Sequence, residues 1–425
     1  MIASLDIRTR ADLISALNEA AALEHSVICQ YLFTAFSLKK HPSEGNITWP
    51  QLERVREWQS NLLLVARQEM EHLGLVCNLL TAIGGVPNFQ RPNFPAATPY
   101  VVQHKQSSLQ RFGEAPMQRF IEIEKLHDAR STTGSPTIGD LYFGIKKGFR
   151  FVARRNRQLF IGPPETQVSN ATIDLPEGRY DMEMVDVGDL ASAERALDQI
   201  VEAGDAMPQR RGDSHYERFK NISREFKKMR REDGNFEPAR PVADNPVTQL
   251  QPHSNQGTVT LIDHPTTSQA ADLFNRAYEI MLLMLMRFYA PVNETPQERD
   301  GLKRIVFFPL MTMVLRPLGE MLTLMPAHAA GRGETAGPTF EIQHDLLLHP
   351  HKPSAWIILH ERLLQLVETC GQLVSDAKDL PATAANGILP RLAFLHENLI
   401  LLARNFERYM NLDREYVLHL LKTGL

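Results

Sequence analysis

Gln68-Glu69-Met70-Glu71-His72 is the stretch on which the fold turns. Glu69 and His72 stand three residues apart in a segment that reads as one long helix, from about Trp49 to Ile83. Three residues is nearly one helical turn, so both side chains leave the same face. Leu62, Val65, Leu73, Val76 and Leu80 recur at helical spacing around the pair. A carboxylate and an imidazole aimed into an apolar interior need a partner, because burying a lone charge is costly. A metal ion is one such partner. The plainer explanation is an exposed Glu beside a core His, since Glu-x-x-His is common on helices. The two are separated by whether the rest of the chain supplies further ligands.

Working outward, Pro50 suits the first turn of this helix, and Gly84-Gly85-Val86-Pro87 stops it. Upstream, residues 9 to 40 read as one helix with Thr9 as N-cap and Asp12 in its first turn. Leu13, Leu17, Ala20, Ala21, Glu24, Ile28, Tyr31, Leu32 and Ala35 share a face, and Glu24 interrupts that apolar stripe. Downstream, residues 84 to 115 form a connection unusually long for two neighbouring helices. Such a length is what a four-helix bundle needs when its second and third helices run parallel. A third helix begins near Pro116, with Phe120, Ile121, Glu124 and His127 on one face and Glu122 on its flank. An amphipathic segment at 137 to 160 follows, with Tyr142, Phe143, Phe149 and Phe151 among basic residues. Residues 161 to 188 read as loop with at most a short hairpin. Asp189 caps a helix whose apolar side is Leu190, Ala193, Leu197, Ile200 and Val201, with Glu202 beside them. Another helix starts at Ser214-His215-Tyr216.

Residues 231 to 267 are rich in Pro, Asn and Gln and read as a boundary. Helices at about 268 to 289, 295 to 325, 354 to 378 and 385 to 413 complete the chain, the second kinked by Pro309 and Pro317. The expected domains are thus 1–235, a bundle with an insertion at 130–188, and 236–425, a C-terminal helical domain packed on it. Methionine clusters in the second half read as core filler.

The chain has 425 residues, 43% hydrophobic and 23% charged, with a net charge of −4, which gives no reason to expect nucleic acid. Cys29, Cys77 and Cys370 offer no disulfide framework and no Cys-x-x-Cys site, and Cys29 and Cys77 read as buried small hydrophobes. No signal-peptide core opens the chain, and the apolar run Ile280 to Met286 is too short for a bilayer. A cytoplasmic protein off the membrane is expected. No phosphate-binding Gly loop, dinucleotide fingerprint or nucleophile elbow appears.

The inward acids now form a set: Glu24 on the first helix, Glu69 and His72 on the second, Glu124 on the third, and Glu202 with His215 from the last part. Four carboxylates and two imidazoles are the ligand set of dimetal carboxylate bundles. Carboxylate oxygens with imidazole suit iron or manganese, and less often zinc. The last pair departs from the usual spacing: Glu202-Ala203-Gly204-Asp205 offers Asp205 where a His is expected. His215 and His127 remain as imidazoles to complete the site, and His215 is preferred.

Ala22-Leu23-Glu24-His25-Ser26, Glu69-Met70-Glu71-His72-Leu73 continuing to Ala82-Ile83-Gly84-Gly85, Phe120-Ile121-Glu122-Ile123-Glu124, Ile200-Val201-Glu202-Ala203-Gly204 and His215-Tyr216-Glu217-Arg218-Phe219 together resemble the bacterial ferritin-like domain of iminophenyl-pyruvate dimer synthases. The resemblance spans roughly residues 9 to 230. It extends more weakly to Leu273–Phe288, Arg316-Pro317-Leu318-Gly319-Glu320 and Ala336-Gly337-Pro338. It implies an all-α, ferritin-like four-helix bundle with a second helical region, and Glu202 and His215 as site residues in place of a contiguous Glu-x-x-His. Those synthases couple imines derived from aromatic amino acids in bis-indole pigment pathways.

The expected function is an oxidoreductase with two iron ions (manganese or zinc as alternatives) acting on a small organic substrate, with dioxygen as a candidate co-substrate. Amino-acid-derived imine chemistry is the implied setting. Tyr31 and Tyr216 are candidate neighbours of the centre. A homodimer is allowed, with no nucleic-acid or membrane partner expected. Iron storage and a metal-free helical scaffold are the competing readings.

Overall fold

The computed structural model describes residues 6–97, 106–124, 138–169, 184–204, 214–250, 259–331, 333–377 and 382–410. It is built almost entirely of helices and divides into two compact units, Met1–Asn245 with Gln251–Thr260, and Pro246–Leu250 with Leu261–Leu425. The first unit thus runs ten residues beyond the expected boundary at 235.

In the first unit, α1 spans Arg10–Phe36 and α2 spans Trp49–Ala82. Thr9 and Asp12 form the expected capping box at the start of α1, which satisfies backbone N–H groups that have no intrahelical partner. At its other end Arg240 donates to the Phe36 carbonyl and pairs with Glu44 at 2.6 Å, placing a buried cation at the negative end of the helix. The helix α2 ends as its glycines predict. Gly84 has φ +82°, a conformation that favours glycine, and Gly84 N and Gly85 N donate to the Thr81 and Leu80 carbonyls.

Shorter helices complete the described part of the bundle. α3, Glu114–Ile123, packs on α6, His215–Glu232, while α4, Ile138–Arg155, packs on α5, Leu190–Gly204, and on α1. The segment 138–155 was expected within an insertion; it is instead a bundle helix, because Leu141, Tyr142, Ile145, Phe149 and Val152 all turn into the core. The long connection after α2 is tied to α1. Thr34 Oγ1 donates to the Gln110 carbonyl and Phe112 N donates to Ser37 Oγ, both at 2.8 Å. Within it Ala96–Ala97 pairs antiparallel with Gln106–Ser107.

Core packing below the middle of the bundle is aromatic. Trp58 stacks on Phe112 at 5.6 Å and meets Phe226 and Phe236 edge-on, and its indole N–H donates to Glu225, so the large ring is buried without an unpaired donor. Cys29 and Cys77 are buried thiols, as expected.

The second unit contains α7 (Pro265–Tyr289), α8 (Pro296–Ile305), α9 (Arg316–Leu322), α10 (Lys352–Asp376) and α11 (Ala382–Glu407). Pro309 was expected to kink a helix. The chain answers with a wider, π-helical stretch over Val306–Leu315 that has Pro309 inside it and passes into α9. By length and composition the continuous helix Pro296–Leu322 is apolar enough to cross a membrane, and 53% of its most apolar window is buried within the protein. Core helices of globular proteins meet the same test. Glu341 is buried here with Thr248 N, Thr248 Oγ1 and Asn275 Nδ2 all donating to it, and Arg287 forms a buried pair with Glu294.

Where the chain returns from α4, Ile161 N and Gly162 N both donate to the Ala82 carbonyl at 3.0 Å, closing the end of α2. A Cβ on Gly162 would lie 1.6 Å from the Thr81 carbonyl oxygen, whereas one on Gly188 would meet nothing within 4 Å. Gly162→Ala is therefore expected to destabilise the first unit by about 3 kcal/mol, a cost typical of severe overpacking, while Gly188→Ala stays near wild type. Urea unfolding followed by circular dichroism compares the two; equal midpoints would contradict this account of the turn.

Candidate metal centre

Halfway along α1 and α2 the bundle core stops being apolar. Glu24, Glu69, His72, Glu124 and His215 are all buried at the same level, each less than a tenth exposed. Their helical phase explains why. Glu24 lies on the face that buries Leu17, Ala20 and Ala21, and Glu69 and His72 lie on the face that buries Leu62, Val65 and Val76. Glu124 is the C-cap residue of α3 and His215 is the first residue of α6, behind the N-cap Ser214.

Glu69 is the hub. Its Oε2 is 2.7 Å from His72 Nδ1 and its Oε1 is 2.7 Å from His215 Nδ1. Glu24 Oε2 lies 3.9 Å from His72 Nδ1, and Glu124 Oε2 lies 3.6 Å from His215 Nδ1. Two three-residue groups result, Glu24–Glu69–His72 and Glu69–Glu124–His215, and in each the candidate ligand atoms lie within 4.8 Å of one another. The two imidazole rings are 5.6 Å apart. Ligand atoms bound at about 2 Å from a common ion fall at such separations. Glu24 Oε2 and His215 Nδ1, both facing the centre, are buried with no hydrogen-bond partner among the described residues. Unpaired buried polar atoms are rare, and a hard carboxylate–imidazole donor set fits iron or manganese.

Two phenols hold the outer carboxylates. Tyr142 of α4 donates to Glu24 Oε1, and Tyr31 of α1 donates to Glu124 Oε1. Tyr31 also packs edge-on against Phe120 at 4.6 Å and against Phe219 at 5.0 Å, so its ring is fixed. Each phenol frees the second oxygen of its carboxylate to face the centre.

The charges interact strongly. Burial, reinforced by Glu69, pushes the Glu24 carboxyl well above the usual carboxylate range. Burial would raise Glu69 too, but the flanking His72 and His215 outweigh it and hold Glu69 well below that range. His215 would be lowered by burial; Glu69 and Glu124 instead bring it up to about 10. Burial, with Glu124 and Glu24 respectively, raises Tyr31 and Tyr142, so both remain phenols.

Of the residues expected at the site, the structure brings together Glu24, Glu69, His72, Glu124 and His215. Glu202 belongs to α5, and its side chain lies outside the described residues, as do His127 and Asp205. Tyr31 reaches the centre as a hydrogen-bond donor to Glu124. Sequence reasoning missed Tyr142 and Gln68. The signal for Tyr142 was present in the spacing of Leu141, Tyr142, Ile145 and Phe149 on one helical face.

A four-helix bundle with a buried carboxylate–imidazole cluster shared among its helices defines a ferritin-like domain, and residues 17–224 match the family model of that description. Those residues, just under half of the chain, have a ferritin-like fold. Along its length it is similar to dichlorochromopyrrolate synthase of Lentzea aerocolonigenes, at 29% identity over 420 residues, covering 87% of this chain and 40% of that protein. It is also similar to 2-imino-3-(indol-3-yl)propanoate dimerase of Chromobacterium violaceum, at 28% identity over 361 residues, covering 78% of this chain and 34% of that protein. The chain thus spans well under half the length of either relative. Among solved structures, a ferritin-like protein from Caulobacter vibrioides aligns with 68% of this chain and 93% of its own, at 18% identity and a TM-score of 0.44.

A metal ion needs the unprotonated Nδ1 of His215, so metal and proton compete there. In the metal-free protein the His215 pKa is raised above its unfolded value of 6.5, so its proton contributes stability that is complete below 6.5 and lost as pH rises through about 10. Near neutral pH, Mn2+ uptake is expected to release protons, and His215→Gln should lower that release by about one per chain. Calorimetry in buffers of different ionisation enthalpy measures it; no release from the wild-type protein would contradict the assignment.

Proposed function

We propose that this chain is a dimetal carboxylate oxidoreductase, holding two iron ions, that acts on a small imine derived from an aromatic amino acid. The observation that carries the proposal is the position of Glu69, whose two oxygens face two separate buried ligand groups. Glu24, Glu69 and His72 would hold one ion, and Glu69, Glu124 and His215 the other. Glu202, on α5, is the remaining carboxylate expected of such a set.

A pair of iron ions supplies redox chemistry with dioxygen or peroxide. The chain's own residues do the rest. Glu69 keeps the two positions adjacent. Tyr142 and Tyr31 hold Glu24 and Glu124 by one oxygen each, so each carboxylate presents its other oxygen in a fixed direction. The apolar surroundings exclude bulk water and strengthen every charge interaction inside. The substrate class is supported by the similarity to dichlorochromopyrrolate synthase and 2-imino-3-(indol-3-yl)propanoate dimerase.

Elemental analysis of protein expressed in iron-replete medium is expected to find about two metal ions per chain. Glu69→Ala should lose both, because it serves both positions, whereas Glu24→Ala should retain one. Less than one ion in the wild-type protein would sink the proposal. For the reaction, the iron-loaded protein is mixed with 2-imino-3-(indol-3-yl)propanoate generated in situ. Dioxygen consumption or a coupled product is expected, and Glu69→Ala should give neither.

A further inference from the structure

The two imidazoles occupy equivalent places at the centre but are held by different means. His72 stands one turn from Glu69 on the same helix, so α2 itself sets the direction of its ring. Its outer nitrogen, Nε2, has no hydrogen-bond partner among the described residues. His215 comes from α6 and shares no helix with any of the carboxylates it faces. Nothing in the local helix geometry of α6 points its ring at Glu69, and a His side chain on a first helical residue has freedom about both side-chain torsions.

The tie that removes this freedom comes from α2. Gln68 Oε1 accepts from His215 Nε2 at 3.0 Å. With the proton on Nε2, the lone pair sits on Nδ1, and that atom faces Glu69 Oε1 at 2.7 Å and Glu124 Oε2 at 3.6 Å. Gln68 directly precedes Glu69, so one short piece of α2 fixes both the shared carboxylate and the imidazole from another helix. The choice of an amide matters. The site already holds three buried carboxylates, and an amide oxygen accepts the imidazole N–H without adding a fourth negative charge.

We propose that Gln68 is a positioning residue for the second metal position: it fixes the ring and tautomer of His215 so that Nδ1 is presented to the ion shared with Glu69 and Glu124. It is specific to that position, since His72 has no such tie among the described residues. This inference rests on the dimetal reading and concerns only how its second half is built.

The test uses the full chain and Mn2+ as the probe. Wild-type protein, Gln68→Leu, Gln68→Glu and His215→Ala are titrated with Mn2+ against a competing chelator, and electron paramagnetic resonance separates coupled pairs from isolated ions. Gln68→Leu is expected to bind the first ion as wild type does and the second about 10- to 100-fold more weakly, with the coupled signal replaced by that of isolated Mn2+. Gln68→Glu, which keeps an acceptor at that place, should restore the coupled pair. Adding Gln68→Leu to His215→Ala should change nothing further, because the two act through one ligand. Coupled pairs at wild-type affinity in Gln68→Leu would overturn the assignment. So would an equal loss of both ions in Gln68→Leu and Gln68→Glu, which would make Gln68 a general structural support. A wild-type protein that takes up no Mn2+ overturns the dimetal reading, and this inference with it, whereas the Gln68 outcomes bear on this inference alone.

Discussion

The Glu69 carboxylate, placed 2.7 Å from an imidazole on either side, is the interaction on which the first unit depends. It is buried in the middle of a 34-residue helix that is otherwise committed to an apolar core. A carboxylate there is strongly unfavourable unless positive charge or hydrogen-bond donors stand against both oxygens. One donor, His72, comes from its own helix. The other must come from across the bundle, and the chain has to bring His215 to it. The aromatic packing of Tyr31, Phe120 and Phe219 beside the cluster fixes the distances at which that happens.

Bringing groups across a bundle to one level has a consequence for the helices themselves. Glu124 caps the end of α3 and His215 begins α6. A ligand inside a continuous helix is bound to that helix's phase, whereas one at a helix end can leave it. The start of α6 is how the site obtains a histidine that the spacing after Glu202 does not supply. The long helices α1 and α2 provide one half of the cluster, and the ends of α3 and α6 provide the other.

The same division explains what could be read from the sequence. Glu24, Glu69 and His72 were legible because they interrupt apolar stripes in long helices, where a polar residue on the wrong face is conspicuous. Glu124 was legible for the same reason, though it stands at the very end of its helix. His215 was not legible from periodicity at all. It starts a helix, so no preceding turn defines its face; it was singled out as an imidazole following Glu202, whose usual spacing offers Asp205, and the resemblance to the family's pattern supported it. Tyr142 was lost because the turn-rich residues 131–135 made the following segment look inserted, although its apolar period was that of a core helix. Gln68 carries no signal in a sequence, since a half-exposed glutamine on a helix is ordinary until the imidazole opposite it is known. The π-helical stretch at 306–315 was likewise out of reach: Pro309 announces a disturbance, but whether the helix kinks or widens is decided by its neighbours.

An ion-pair network without metal is the strongest competitor to a dimetal centre, and the charges of the cluster bear on the choice. Glu69 can be satisfied by a protonated His215 together with His72, and that much would be a stable buried cluster on its own. Glu24 does not fit such a cluster. Burial and Glu69 drive its carboxyl toward the neutral form. His215 likewise keeps a proton that an imidazole ordinarily gives up. Both shifts favour a proton beside the shared carboxylate, at places where a cation could compete for the same atoms. A core selected only for stability would replace such groups with apolar side chains, which in buried sites of this kind is often neutral or stabilising. Three carboxylates and two imidazoles retained at one level, with two phenols steering the outer pair, make physical sense when something more strongly charged than a proton competes for the same two places.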